Sequence, residues 1–151
     1  MMCHSDIEFF FRIEPDIPKL THQNGIRVGL LGNGKPYMHK TKALEELEAK
    51  YVSHLIEQAP DEPWNGPIHL TTAWYFRKPK SQKGIYKITK PDTDNLVKTL
   101  KDCMRVAGFF KDDALVVVET IAKYWRKENE PHGILIRLHD LSNENNKETT
   151  K

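Results

Sequence analysis

The stretch Lys90-Pro91-Asp92-Thr93-Asp94-Asn95-Leu96-Val97-Lys98 concentrates two carboxylates, an amide and two lysines, and Lys111-Asp112-Asp113 follows about one helix length later. Carboxylate oxygens are the strongest protein ligands for hard divalent cations. Clustered acids beside a lysine therefore point to a magnesium site that cleaves or transfers phosphate esters. Pro91 disfavours helix at Lys90, so the approach to Asp92 is expected to be extended. In an extended segment residues two apart point the same way, which would aim Asp92 and Asp94 at one ion. The same pattern also suits a helix cap, with Thr93 or Asp94 as the capping residue. A helix start favours anions of either kind, carboxylate or phosphate.

Lys98 lies four residues after Asp94, one turn or about 6 Å along the same helix face, where an ammonium can reach a phosphate oxygen held at a metal. Asp102 is a further turn on, flanked by Lys101 and Arg105. Asp112-Asp113 sits between Gly108-Phe109-Phe110 and a strand expected from Ala114. If that strand lay beside the one ending near Arg77, Asp113 could meet Asp92 and Asp94.

Other chemistries find little support. The histidines at 4, 22, 39, 54, 69, 132 and 139 are scattered, and none forms a H-x-x-x-H pair. Cys3 and Cys103 fit no metal spacing and read as free thiols in a reducing cytosol. No glycine-rich loop matches a nucleotide fingerprint. Trp64, Trp74 and Trp125 read as core or interface residues. No apolar run approaches the roughly 18–20 residues needed to cross a bilayer, and the start lacks the features of a secretory signal. A cytoplasmic protein is expected.

Net charge is only +2, but its distribution is uneven. Arg77, Lys78, Lys80, Lys83, Lys87 and Lys90 occupy a stretch without any acid. A basic approach to an acid cluster suits a site that attracts a polyanion and holds a metal, although a solvated loop would have the same composition.

The elements that must position these residues follow from periodicity. Asp6–Ile13, Ile26–Leu31, Ile68–Phe76, Ala114–Trp125 and Gly133–Leu138 read as strands. Lys40–Gln58 and Asp94–Ala107 read as helices. The second has an apolar stripe of Leu96, Val97, Leu100, Cys103, Met104 and Ala107, with Gly108 as its terminator. The last two strands, joined by a polar turn, are expected to form a hairpin. This order predicts an α+β fold: one domain over residues 1–140, a two-layer mixed sheet with helices packed on one face. The polar tail 141–151 is expected to be disordered.

The series K-P-D-T-D-N-L-V-K-T-L-K-D, then G-F-F-K-D-D and V-V-V-E-T, resembles the RusA family of Holliday junction resolvases across Thr71 to Leu138. The resemblance implies a Mg²⁺-dependent endodeoxyribonuclease, with Mn²⁺ as an acceptable substitute and no organic cofactor. It implies a homodimer that nicks two strands of four-way junction DNA symmetrically, in recombination and repair. It also implies that Asp92, Asp94 and Asp113 are catalytic metal ligands and that Lys98 is catalytic. Asn95 and Asp102 match motif positions of supporting role, and Asp112 matches the neighbouring acid. Lys78, Lys80, Lys83, Lys90, Lys101 and Arg105 would then grip DNA phosphates. The alternatives are a magnesium nuclease acting on other branched or single-stranded DNA, a phosphotransfer enzyme, and a junction-binding protein without catalysis.

Overall fold

The computed structural model describes residues 3–21 and 23–147. The elements in chain order are β1 (Ile7–Arg12), β2 (Ile26–Leu30), β3 (Pro36–Lys40), α1 (Lys42–Leu55), β4 (Ile68–Phe76), α2 (Thr93–Ala107), β5 (Val116–Trp125), β6 (Gly133–Asp140) and α3 (Ser142–Asn145). Four strands form one sheet in the order β1-β6-β4-β5, and β2 and β3 form a separate ribbon. The α+β reading with a mixed sheet holds: β4 and β5 are parallel, and the other pairs are antiparallel.

Strand β4 shows how the sequence builds the layers. Ile68, Leu70, Thr72, Trp74 and Phe76 are buried and alternate with half-buried neighbours, as a strand with one covered face must. Thr72 survives on the buried face because its hydroxyl accepts the Trp74 Nε1–H at 2.9 Å. Phe11, Ile134, Ile136 and Leu138 extend this face across the sheet. Helix α2 lays its expected stripe on it, with Leu100 and Met104 fully buried. Helix α1 adds Leu44, Tyr51 and Leu55, and Tyr51 meets Phe11 edge to face at 5.1 Å. The three tryptophans are core residues, each at most 5% exposed. The opposite face carries His69, Thr71, Ala73 and Tyr75, and Glu144 of α3 comes within 4.0 Å of His139 there.

Three expectations are corrected. First, β5 and β6 do not form a hairpin. They flank β4 on either side, and residues 126–132 cross its end, where the Arg126 N–H bonds the Phe76 carbonyl at 2.8 Å. Second, Lys40 does not open the first helix, which starts at Lys42; it ends a strand, Pro36–Lys40, whose five residues are all exposed and which only its pairing with β2 defines. Third, the tail does not loosen at Leu141. Ser142–Asn145 form a helical turn whose first residue donates two hydrogen bonds to Asp140, while 148–151 lie outside the described residues.

The β4–α2–β5 unit positions the acids. Ile68 pairs with Val116 and Phe76 with Trp125, so β5 starts beside the start of β4, not beside its end. Helix α2 returns antiparallel to both strands. Its 15 residues rise about 20 Å.

Candidate active site

At the start of α2, Asp92 is the N-cap with extended backbone (φ −71°, ψ 154°), but its side chain makes no capping hydrogen bond. Both Asp92 and Asp94 are exposed. The capping use of this motif is therefore not realised by Asp92, and its carboxylate is free for a ligand. Lys123 of β5 braces the approach, donating from Nζ to the carbonyls of Thr89 (2.8 Å) and Pro91 (2.9 Å). Asn95 donates to Gln23 Oε1 at 2.7 Å, tying the helix start to the turn before β2. A cavity there is lined by Lys19, Thr21, Gln23, Asn24, Lys90, Pro91, Asp92 and Asn95. Lys98 is exposed one turn beyond Asp94.

At the far end of α2, Asp113 opens a turn of 3-10 helix (Asp113–Leu115) that leads into β5. Asp112 caps that turn, accepting the Ala114 N–H at 2.9 Å. Burial raises the Asp113 pKa, and the Asp102 carboxyl within hydrogen-bonding reach raises it further; Arg105 and Lys101 oppose both. Arg105 Nε lies 3.8 Å from Asp113 Oδ1, which is buried without a hydrogen-bond partner. Two carboxyls pressed together, one oxygen unpartnered, are a donor set that suits a hard divalent cation.

One chain does not bring the predicted triad together. Asp92 and Asp94 stand at the start of α2, and Asp113 stands with Asp102 two to three turns further on, about 12–15 Å along the axis. Among the described residues no three His, Cys, Asp or Glu side chains converge as a metal site. The meeting expected from adjacent strands fails because β5 is parallel to β4.

The basic residues also divide. Lys101 binds Glu119 of β5 at 2.6 Å, and Arg105 faces Asp113, so both serve the acid end of the helix. Lys78, Lys80, Lys83 and Lys90 are exposed, although Lys78 donates from Nζ to the Gly84 carbonyl at 2.8 Å. Lys78 and Lys90 line a cavity of about 570 Å³ with Lys19, Arg77, Lys87 and Asp16. Lys87 is buried, its Nζ 5.0 Å from the Phe76 ring centroid and 4.7 Å from that of Trp125. Burial, then Lys123 and Lys19, lower its pKa.

Sequence reasoning missed Lys123, Gln23 and the special position of Lys87. No local pattern marks them. The alternation along β5 would have placed Lys123 on the face of Ile121 and Trp125, but not beside Pro91.

Residues 18–139 match the family described as Endodeoxyribonuclease RusA. The chain is 31% identical over 113 residues to the uncharacterized protein YqaN of Bacillus subtilis (strain 168), covering 66% of this chain and 78% of that one. It is 28% identical over 115 residues to the crossover junction endodeoxyribonuclease rusA of Lactococcus phage r1t, covering 74% and 84%.

Proposed function

The chain belongs to the RusA family of endodeoxyribonucleases, and from that premise we propose that it is a Mg²⁺-dependent Holliday junction resolvase. It acts as a homodimer and hydrolyses one phosphodiester in each of two opposed strands. The observation that supports this reading is the division of carboxylates along one helix, Asp92 and Asp94 at its start and Asp113 beside Asp102 further on, with a basic groove leading to the start. A two-fold axis crossing α2 near Lys98 would set the start of one helix beside the end of its copy. Asp92 and Asp94 of one protomer would then join the equivalent of Asp113 from the other. Exposed Val106, Val117 and Val118, 61%, 59% and 43% accessible, supply apolar surface on α2 and on the start of β5. The relative from phage r1t, named as a crossover junction endodeoxyribonuclease, supports the choice of substrate.

Asp92, Asp94 and Asp113 are the residues that would hold the ion. A bound magnesium ion supplies Lewis-acid charge and a water of lowered pKa. Lys98 stabilises charge that develops on the phosphate oxygens. Arg105 and Asp102 hold Asp113 in place. Lys78, Lys80, Lys83 and Lys90 bind flanking phosphates without reading bases.

The test uses a labelled four-way junction with Mg²⁺ or EDTA. Paired symmetric nicks are expected only with Mg²⁺. Asp92→Asn should abolish nicking while retaining junction binding; wild-type nicking by this variant would refute the role of Asp92. Equal cleavage of linear duplex would refute junction specificity.

A further inference from the structure

The sheet face turned away from α1 and α2 contains an aromatic cavity that the hydrolytic chemistry does not use. Tyr75 of β4 and Tyr124 of β5 stack with centroids 5.3 Å apart and planes 19° from parallel. Phe10 of β1 tilts against Tyr75 at 6.2 Å, and Tyr86 leans on Tyr124 from the basic loop at 5.5 Å. The cavity encloses about 500 Å³, with Ile85 and Leu135 among its walls and Lys127 and Glu130 among its polar groups. Phe10, Ile85 and Tyr86 are 37%, 58% and 59% exposed, so these side chains are not core packing.

The surroundings identify the occupant. Trp125 lines both this cavity and the basic one containing Lys87. The basic cavity shares Lys19 and Lys90 with the cavity containing Asp92. Tyr75 and Tyr124 face away from Phe76 and Trp125, so the series runs from a carboxylate, through five bases, and round the ends of β4 and β5 to the stacked rings. A nucleic acid strand has the complementary order: a scissile phosphate, a neighbouring phosphate, then a base. Glu130 discourages a phosphate from entering the aromatic end, whereas a neutral base is not repelled. An apolar peptide would fit the rings but has no use for the adjoining cations.

We propose that the Phe10–Tyr75–Tyr124 cavity receives one unstacked nucleobase from the DNA strand whose phosphates pass Lys87 and Lys90. This rests on the nuclease reading for its polymer. The rings supply stacking, which every base accepts. Lys127 and Glu130 offer a donor and an acceptor to the base edge.

The experiment compares binding of a short oligothymidine with that of an equally charged strand of abasic residues, in EDTA, by fluorescence anisotropy. The wild-type protein should prefer the base-bearing strand by at least about fivefold, the lower bound for one stacked base. Tyr75→Leu and Tyr124→Leu should each lose that preference and keep the abasic-strand affinity. Tyr86→Ala, on an exposed loop, should weaken the preference without endangering the sheet. Equal binding of both strands by the wild type would overturn the proposal, as would a preference that survives both tyrosine substitutions. Substitutions that dissociate a dimer while leaving the preference intact would assign the surface to a second copy instead. Junction nicking separates the two readings. A protein that nicks but shows no base preference lacks the pocket function alone, and one with the preference but no Mg²⁺-dependent nicking lacks the nuclease function alone.

Discussion

Mixing two inactive variants should restore activity. Ligands sharing one magnesium ion bind at about 2.1 Å, so their oxygens must lie within a few ångströms of each other. Asp113 stands beside Asp102, which lies eight residues from Asp94 along α2 and so about 12 Å away. No rotamer of an aspartate spans that gap. On the proposed dimer, each site draws Asp92 and Asp94 from one protomer and Asp113 from its partner. In a heterodimer of Asp92→Asn with Asp113→Asn, both lesions fall in the same site and the other site is intact. Random exchange of an equal mixture makes half of the dimers heterodimers, each with one of two sites working, so about a quarter of wild-type nicking should return. The substrate is a supercoiled plasmid carrying an extruded cruciform. Wild-type protein should yield linear DNA by two cuts, and the mixture should yield nicked circles. Each variant alone should yield neither. The reasoning fails if the mixture stays inactive after native mass spectrometry has shown that the subunits exchanged.

Other outcomes follow from the fold. Gly108→Ala should cost about 1 kcal/mol in denaturant unfolding, because φ is +99° and nothing lies within 4 Å of the added Cβ, leaving only backbone strain. Gly133→Ala should cost about 3 kcal/mol or more by the same measurement, because its Cβ would collide with the Phe11 carbonyl oxygen. Leu100→Ala, at a fully buried position between α2 and the sheet, should lose about 2–5 kcal/mol. Burial would raise the Asp140 pKa, but hydrogen bonds from Ser142 and the His4 amide outweigh it and hold the group below its ordinary 3.8. The folded state thus binds this proton less readily than the unfolded chain. The stabilisation is present above that ordinary value and is lost as pH falls through the folded one. Thermal melts of Asp140→Asn across acidic pH should accordingly show a shallower slope than wild type.

What was legible in the sequence was local. Helix α2 was readable because Leu96, Leu100, Cys103, Met104 and Ala107 keep helical spacing, and Gly108 stops the helix as only a left-handed residue can. Strand β4 was readable from its run of Thr, Trp, Tyr and Phe. Strand β3 was not, because Pro36-Tyr37-Met38-His39-Lys40 has no buried face to impose alternation. The order of strands was hidden for a different reason. Seven residues, 126–132, can close a hairpin or cross one strand, and the choice depends on whether β4 lies between. That misplacement carried over to the site: Asp113 was expected beside Asp92 because strand adjacency does not reveal strand direction. Lys101 and Arg105 were legible as cations, but their partners Glu119 and Asp113 are set by packing.

Helix α2, with its acids held apart along its length, has a further consequence on the proposed arrangement. A lone protomer carries every group needed to cut DNA and yet cannot cut. Its nicking rate should vary with the square of protein concentration below the dimer dissociation constant and linearly above it. Newly made chains at low abundance would then leave DNA unharmed, and a junction able to gather two copies would assemble the nuclease upon itself. The distance that disables one copy thus serves as a coincidence detector, restricting cleavage to places where two protomers meet.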